Sequence, residues 1–177
     1  DSAPPLLSGT TRPSYAITRV PDHPDAVGKL GVPLGRRWDY IVVHHSYSRS
    51  GSEAAFDRYH REVRGWLGVG YHFVIGNGHG SPDGKVEVTF RWEDQIHGAH
   101  AGVEKYNQHG IGICLVGNFE SSYPTEQQVK SLAALVNYLQ KRCDIPTSHI
   151  LLHRHVRNTK CPGNNFPFYE FISLLEH

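Results

Sequence analysis

The chain has 177 residues, of which 38% are hydrophobic and 20% are charged, and its formal net charge is +1. This length suits a single domain with a sizeable core, and the balanced charge gives no electrostatic reason to expect binding to nucleic acid or to an anionic membrane. No apolar run approaches the roughly 20 residues that a membrane-spanning helix needs, so we expect no membrane span.

The N-terminal part differs in composition from the rest of the chain. Residues 1–36 contain six prolines and show no clear hydrophobic period, which is typical of an extended segment. We therefore predict a proline-rich N-terminal arm over residues 1–36 and one folded domain over residues 37–177. We expect this domain to be a monomer.

Several short segments are rich in apolar and β-branched residues and end at turn-forming residues, which is the pattern of strands. The predicted strands span residues 38–46, 71–76, 85–92, 110–119 and 150–152. The second and third strands are separated by the turn "GNGHGSPDG", whose Gly, Asn and Asp residues favour a connection between paired strands.

The first helix is predicted to begin near Ser50, which has the spacing of a capping box with Glu53, and to run to about Arg64. Apolar residues recur along it at helical spacing and predict a face buried in the core. These residues are Phe56, Tyr59 and Val63.

A longer helix is predicted to begin at Thr125, which pairs with Gln128 as a second capping box, and to end before Pro146. Its apolar face consists of Val129, Leu132, Leu135, Val136 and Leu139. Pro167 at a first-turn position predicts a final helix. Strands that alternate with helices indicate a single α/β domain with a central mixed β-sheet flanked by helices.

Three candidate metal ligands lie where predicted strands end. His44 lies at the end of the first strand, His153 follows the strand at 150–152, and Cys161 lies in the next loop, which Pro162 stiffens. A catalytic zinc ion typically has three protein ligands and a fourth position occupied by water, and strand ends hold such ligands firmly. Each of these residues alone is more often structural, so the spacing favours a zinc site at the strand ends without deciding it.

Four motifs in order carry a resemblance: "YIVVHHS", "GWLGVGYHFVIG", "GAHAG" with "YNQHGIGICLVGNF", and "HRHVRNTKCPG". Together they resemble the zinc-dependent N-acetylmuramoyl-L-alanine amidases, the group that contains phage T7 lysozyme and the peptidoglycan recognition proteins. The resemblance extends over about residues 37–175. It implies a zinc cofactor whose ligands are His44, His153 and Cys161.

The resemblance also implies residues that assist the reaction. Tyr71 matches the tyrosine that positions the zinc-bound water and stabilises the developing oxyanion. Thr159 matches the position of a residue that assists at the carbonyl, with the adjacent Lys160 as the alternative. Some relatives carry a glutamate where this chain has Cys114, which leaves the general base open. We expect His45 and His72 to be structural or to orient neighbouring residues of the site by hydrogen bonding.

Further positions match the peptide groove of the recognition proteins, namely His60, Arg64, His100 and Asn107. Gly65 and Trp66 match the pair that is associated in that family with meso-diaminopimelate stems. Arg64 could form a bidentate pair with the additional carboxylate of diaminopimelate, and Gly65 would leave room for it. The alternative is that Trp66 belongs to the core and Arg64 is a solvated charge.

The implied reaction is hydrolysis of the amide bond between N-acetylmuramic acid and L-alanine in bacterial peptidoglycan, with meso-diaminopimelate stems favoured. The implied location is extracellular or periplasmic, at the cell wall, with a phage-encoded cytoplasmic endolysin as the alternative. A secreted autolysin fits the same chemistry.

Two other classes of function remain. The first is a non-catalytic peptidoglycan-binding module, although binding-only relatives often replace the cysteine ligand, which is retained here as Cys161. The second is a cysteine hydrolase with Cys161 as the nucleophile and His153 as the base. Such nucleophiles require an environment that lowers the pKa of the thiol, and a proline-stiffened loop does not provide one by itself.

Overall fold

The computed structural model describes residues 12–176. Within this range a six-stranded mixed sheet has the strand order β1-β4-β3-β5-β2-β6. The strands are β1 (Ala26–Val27), β2 (Tyr40–His45), β3 (Phe73–Ile75), β4 (Val86–Val88), β5 (Gly110–Leu115) and β6 (Ile150–Leu152). All neighbouring strands are parallel except β3 and β4, which are antiparallel. The predicted α/β architecture with a central mixed sheet is confirmed.

Helices connect the strands and flank the sheet. Those within the described residues are α1 (Glu53–Glu62), α2 (Phe90–Glu93), α3 (Glu104–His109), α4 (Glu126–Cys143), α5 (His153–Val156) and α6 (Phe168–Ser173), with a 3₁₀ turn at Thr147–His149. In the part of the chain that the structure describes, none of the helices is long and apolar enough to cross a membrane.

The core lies between α4 and one face of the sheet. The central strands β2 and β5 are almost entirely buried, as expected for parallel strands covered on both faces. Ile41 and Val43 belong to the core cluster that includes the apolar residues of α4. Because successive side chains of a strand point to opposite faces, Val42 and His44 face away from that cluster.

The prediction for α4 is confirmed in detail. The Thr125 side chain accepts a hydrogen bond from the backbone N–H of Gln128, and the Gln128 side chain accepts one from the backbone N–H of Thr125. The five apolar residues predicted to form one face are all buried. Asp144 ends the helix in a left-handed conformation, two residues before Pro146.

The prediction for α1 is partly wrong. Its N-cap is Ser52, whose hydroxyl accepts from Ala55 N, and not Ser50. No residue of α1 is buried, and Tyr59 and Val63 are 48% and 64% exposed. The apolar face of this helix is therefore not part of the core. It lies beside a groove that is described below.

The predicted strand at 85–92 is too long. It ends at Val88 because the Thr89 side chain accepts from Arg91 N and caps α2. The strand predicted from residue 71 begins at Phe73. The residue types were right for strands, but a local side-chain cap overrides β propensity at Thr89.

The predicted arm contributes to the sheet where the structure describes it. Ala26 and Val27 form β1, which pairs with β4, and Leu30 is buried in the core cluster. Residues 1–11 lie outside the described residues. The division of the chain at residue 36 stays a prediction, although a short edge strand lies within the arm.

Candidate metal centre and groove

The parallel pairing of β2 and β6 brings the two histidines together. Val43 of β2 lies opposite Leu152 of β6, so the residues that follow each of them, His44 and His153, are neighbours at the sheet edge. Their ring centroids are 4.5 Å apart. His44 is 1% exposed, whereas His153 is half-buried and is the first residue of α5.

Backbone hydrogen bonds fold the loop with Cys161 back onto this pair. Arg154 N donates to Cys161 O at 2.9 Å, and Cys161 N donates to Thr159 Oγ1 at 3.2 Å. His45 N donates to Cys161 Sγ at 3.4 Å, and this sulfur lies 3.8 Å from His44 Nδ1. The loop therefore presents the thiol to the histidine pair in a fixed position.

These three residues fit a zinc ion by their chemistry and spacing. One ligand atom from each of His44, His153 and Cys161 lies within 4.8 Å of the others. Tetrahedral zinc with imidazole and thiolate ligands separates its ligand atoms by roughly 3.3–3.8 Å, so only a small contraction is required. Two nitrogens and one sulfur are a set that zinc prefers and that Mg²⁺ or Ca²⁺ does not.

The protonation states also suit metal binding. Burial, and then the neighbouring His100, hold the pKa of His44 well below its usual value, and burial also lowers the pKa of His153. Both rings are therefore neutral near pH 7, which is the form that binds metals. Burial raises the pKa of the Cys161 thiol to about 12 without a metal, and zinc would deprotonate this thiol when bound. A free thiolate nucleophile is disfavoured at this position, which argues against the cysteine hydrolase.

The three residues line a cavity of about 420 Å³ together with Tyr71, Thr159 and Lys160. Burial raises the pKa of Tyr71 well above its usual value, so its phenol stays protonated and can donate a hydrogen bond. In the described part of the chain, no aspartate or glutamate lines this cavity. Cys114, which pairs with His44 across β2 and β5, is buried and supplies no carboxylate there.

A groove continues from this cavity. It has a volume of about 680 Å³ and shares Ser46, Tyr47, Tyr71 and His100 with the smaller cavity. Its other lining residues are Ser48, Ser50, Gly51, Ala55, Phe56, Tyr59, His60, Arg64, Trp66 and Ala99. A separate open cavity of the same volume, lined by residues 23–33, lies away from the candidate metal ligands.

The comparison with known proteins bears directly on this arrangement. A family model described as N-acetylmuramoyl-L-alanine amidase matches residues 34–164. The chain belongs to this family. Peptidoglycan-recognition protein SC2 of Drosophila melanogaster is 33% identical to it over 141 residues, which are 75% of this chain and 72% of that protein.

Solved structures of the amidase family and of recognition proteins share the fold. The endolysin amidase LysCS from Clostridium intestinale has a TM-score of 0.68 and 35% identity, covering 84% of this chain and 91% of that chain. A mutant of Drosophila PGRP-LB in complex with tracheal cytotoxin has a TM-score of 0.64 and 28% identity, covering 88% of this chain and 90% of that chain. The chain is therefore similar in structure both to a protein named as an amidase and to a protein named as a recognition protein.

The lining of the groove includes His60, Arg64, Trp66 and His100 but not Gly65 or Asn107, and the substrate-binding roles of all six stay predictions. The Arg64 guanidinium lies 6.0 Å from the centre of the Trp66 ring, within cation–π range. Trp66 is 40% exposed, so it is not a core residue.

Gly65 has a backbone reason to be glycine. Its φ is +66°, and a Cβ added there would meet nothing within 4 Å. Conformation rather than crowding therefore favours glycine at this position, and asparagine is the residue that tolerates it next best. The absence of neighbours also leaves open space beside Arg64.

The apolar residues Tyr47, Phe56 and Tyr59 line the groove but were not predicted as groove residues. Helical spacing assigned the last two to the core, and no signal singled out Tyr47. The prediction that His45 and His72 are structural or orient neighbouring groups stays a prediction; His45 lines the cavity of the candidate ligands, and both rings contact backbone groups. His45 Nδ1 accepts from Phe119 N, and His72 joins Gly112 N to Ile96 O, all at 3.0 Å.

Proposed function

We propose that this protein is a zinc-dependent amidase that cleaves the bond between N-acetylmuramic acid and L-alanine in bacterial peptidoglycan. The observation that carries the proposal is the cluster of His44, His153 and Cys161 at the end of an open groove. A structural zinc site would have four protein ligands and no adjoining groove, whereas a catalytic one retains an open position.

When bound, zinc would polarise the scissile carbonyl and lower the pKa of a water molecule to about 7. Tyr71 is in its protonated form and can donate to the oxygen that becomes negative. Thr159 Oγ1 already accepts from Cys161 N, so its own O–H is free to donate towards the cavity. Lys160 lines the same cavity and is the alternative to Thr159, because its positive charge could stabilise the developing oxyanion.

The rival within the family is a module that binds peptidoglycan without cleaving it. Both functions would use the groove, but only hydrolysis requires three metal ligands with Tyr71 beside them. The centroids of the His44 and Tyr71 rings are 5.3 Å apart, so the phenol is next to the candidate ligands. This proximity favours the enzyme.

We extend the proposal to the stem peptide, with meso-diaminopimelate preferred. Tracheal cytotoxin is the molecule named in complex with the related PGRP-LB, and we expect this groove to take a muramyl peptide of that type. Arg64 is exposed beside the open space at Gly65, where it could meet an additional carboxylate. The enzyme would act as a monomer at the cell wall, in an extracellular or periplasmic setting or as a phage endolysin.

The test is digestion of purified diaminopimelate-type peptidoglycan, with products identified by mass spectrometry. The wild-type protein is compared in three states: zinc-loaded, treated with a chelator, and reconstituted with zinc. We expect release of stem peptides with a free L-alanine amino group, loss of this release with the chelator, and recovery with zinc. Intact glycan-linked peptides in all three states, with protein still bound to the wall, would instead support the binding module.

A further inference from the structure

A single segment of four residues contacts both histidines of the candidate metal site. It consists of Gly98, Ala99, His100 and Ala101, and we name it the 98–101 segment. His100 Nδ1 lies 2.9 Å from His44 Nε2, and Ala101 O lies 2.9 Å from His153 Nε2. The two ligands come from different strands, yet their outer nitrogens both bond to this segment.

These contacts fix which nitrogen of each ring carries a proton. Carbonyl oxygens only accept, so Ala101 O requires a proton on His153 Nε2, and Gly110 O, at 3.0 Å, requires one on His100 Nε2. A neutral imidazole carries one N–H, and in His100 the contact with Gly110 O places it on Nε2. Its Nδ1 must therefore accept, and the donor is His44 Nε2.

The result is the same for both ligands. With Nε2 protonated and bonded outwards, His44 and His153 each keep a lone pair on Nδ1, the nitrogen that a metal can bind. His44 Nδ1 is also the atom that faces Cys161 Sγ. The hydrogen bonds of the 98–101 segment therefore select the tautomer that the proposed zinc site requires.

Asn107 holds this segment in place. Its Oδ1 accepts from His100 N at 2.9 Å and from Ala101 N at 2.8 Å, and its backbone oxygen accepts from Gly98 N at 2.8 Å. The Asn107 side chain is not among the groups that line the groove or the cavity. Its contacts identify it as an anchor for the backbone that carries both hydrogen bonds.

The His100 ring has little freedom to take another position. A Cβ on Gly98 would lie 2.3 Å from His100 Cδ2, and one on Gly112 would lie 2.6 Å from the same atom. Two glycines therefore create the space that the ring occupies, and His100 is 8% exposed. Both of its nitrogens are already bonded to protein atoms, so neither is available to a substrate.

We infer that His100 and Asn107 are positioning residues, which hold both histidine ligands in the orientation and tautomer that zinc requires. This inference rests on the proposed zinc-dependent function. It differs from the role in substrate binding that the resemblance implies for both residues. Outer partners of metal-bound histidines typically contribute 10- to 100-fold to metal affinity.

The experiment measures zinc affinity by competition with a chromophoric chelator, which does not depend on hydrolysis. His100→Phe retains a ring of similar size without nitrogens, and Asn107→Ala removes the anchor. We expect each variant to bind zinc about 10- to 100-fold more weakly than the wild type. Asn107→Asp keeps an oxygen that accepts from both N–H groups, so we expect its zinc affinity to stay within about threefold of the wild type.

Two further measurements separate this inference from its alternatives. Cobalt-loaded wild type and His100→Phe should differ in their visible absorption, because the ligand geometry differs. Pelleting of the zinc-free variants with peptidoglycan reports separately on substrate binding. Wild-type zinc affinity in both His100→Phe and Asn107→Ala, or loss of pelleting with zinc affinity unchanged, would overturn the inference. A wild-type protein that binds no zinc would instead overturn the proposed function.

Discussion

Two regions of this protein have opposite distributions of polarity. The metal end comprises the candidate ligands His44, His153 and Cys161 with the buried histidines beside them, and the groove face comprises the aromatic residues that line the groove. At the metal end, polar groups are inside: His44, His45 and His100 are all less than 9% exposed. On the groove face, aromatic groups are outside: Tyr47 is 70% exposed and Tyr59 is 48% exposed. Both arrangements reverse the usual rule that apolar side chains are buried and ionisable ones are not.

The difference follows from what each region does in the proposed function. A reaction at a metal requires ligands that are fixed before the substrate arrives, and buried hydrogen bonds provide that rigidity. Recognition of a ligand requires apolar surface that becomes buried only on binding. In the proposed function, the candidate ligands are held in place before the substrate arrives, whereas the aromatic residues of the groove would become buried only when a ligand binds.

The largest expected effect comes from breaking the metal end. Cys161→Ser removes the thiolate ligand, and we expect hydrolysis of peptidoglycan to fall by at least about a thousandfold, because water without the metal has a pKa near 15.7 instead of about 7. Pelleting with peptidoglycan should be retained, because the groove face is unchanged. Turbidity loss and co-sedimentation measure the two properties separately.

The matched control for this variant is Cys143→Ser. Cys143 is a half-buried free cysteine at the end of α4 that packs against the core and lines neither the groove nor the cavity. We expect its activity to match that of the wild type. Equal inactivation of both variants would indicate damage to the fold. Full activity of Cys161→Ser would show that Cys161 is not a ligand of a catalytic metal.

A second prediction compares the apolar residues of two helices. Leu135 of α4 is fully buried, whereas Tyr59 of α1 is half-exposed. We expect Leu135→Ala to lower the free energy of unfolding by about 2–5 kcal/mol, and Tyr59→Ala to change it by less than about 0.5 kcal/mol. Denaturant unfolding measures both values.

Only the α1 variant should weaken binding to peptidoglycan. A large loss of stability in Tyr59→Ala would mean that the groove face contributes to the core after all. Unchanged wall binding in that variant would mean that the aromatic residues of α1 do not contact the ligand.

These two helices also show how far the sequence could predict the fold. Both carry apolar residues at helical spacing and an N-terminal capping residue, and for α4 every predicted contact is present. For α1 the same pattern gave a core face that does not exist. Periodicity identifies the apolar face of a helix but not what covers it, and a face reserved for a ligand has the same spacing as a core face.

The candidate site was predicted to a different degree. Their positions at strand ends and in the following loop singled out His44, His153 and Cys161 as candidate ligands without deciding for zinc. The resemblance added Tyr71, Thr159 and the groove residues. The hydrogen bonds of His100 and Asn107 could not be predicted, because they depend on how a loop folds between elements far apart in sequence.

A third prediction concerns pH and the buried histidines of the sheet. Burial holds the pKa of His72 well below its usual value in the folded state. The unfolded chain therefore binds one more proton below about pH 6.5, so this residue lowers stability as the pH falls and has no effect above that range. We expect a slope of about 1.4 kcal/mol per pH unit from this one site below pH 6.5.

The measurement compares urea unfolding of wild type and His72→Gln between pH 7.5 and pH 5. Glutamine does not titrate, so the slope of stability against pH should be smaller in the variant, whatever its stability at neutral pH. Above about pH 7 the two curves should be parallel. Identical slopes below pH 6.5 would show that His72 is not buried in its neutral form.

The smallest expected effect concerns selectivity on the groove face. Arg64→Ala removes a guanidinium that could pair with the additional carboxylate of diaminopimelate, and a charge-assisted contact of about 1.4 kcal/mol corresponds to a tenfold effect. We expect about a tenfold loss of kcat/KM on diaminopimelate stems and less than about a twofold loss on lysine stems. Arg58→Ala, which changes an exposed arginine of α1 outside the lining of the groove, should affect neither. If Arg64→Ala reduced cleavage of both stems equally, the arginine would contribute only general affinity for the wall, and the selectivity would have to come from elsewhere in the groove.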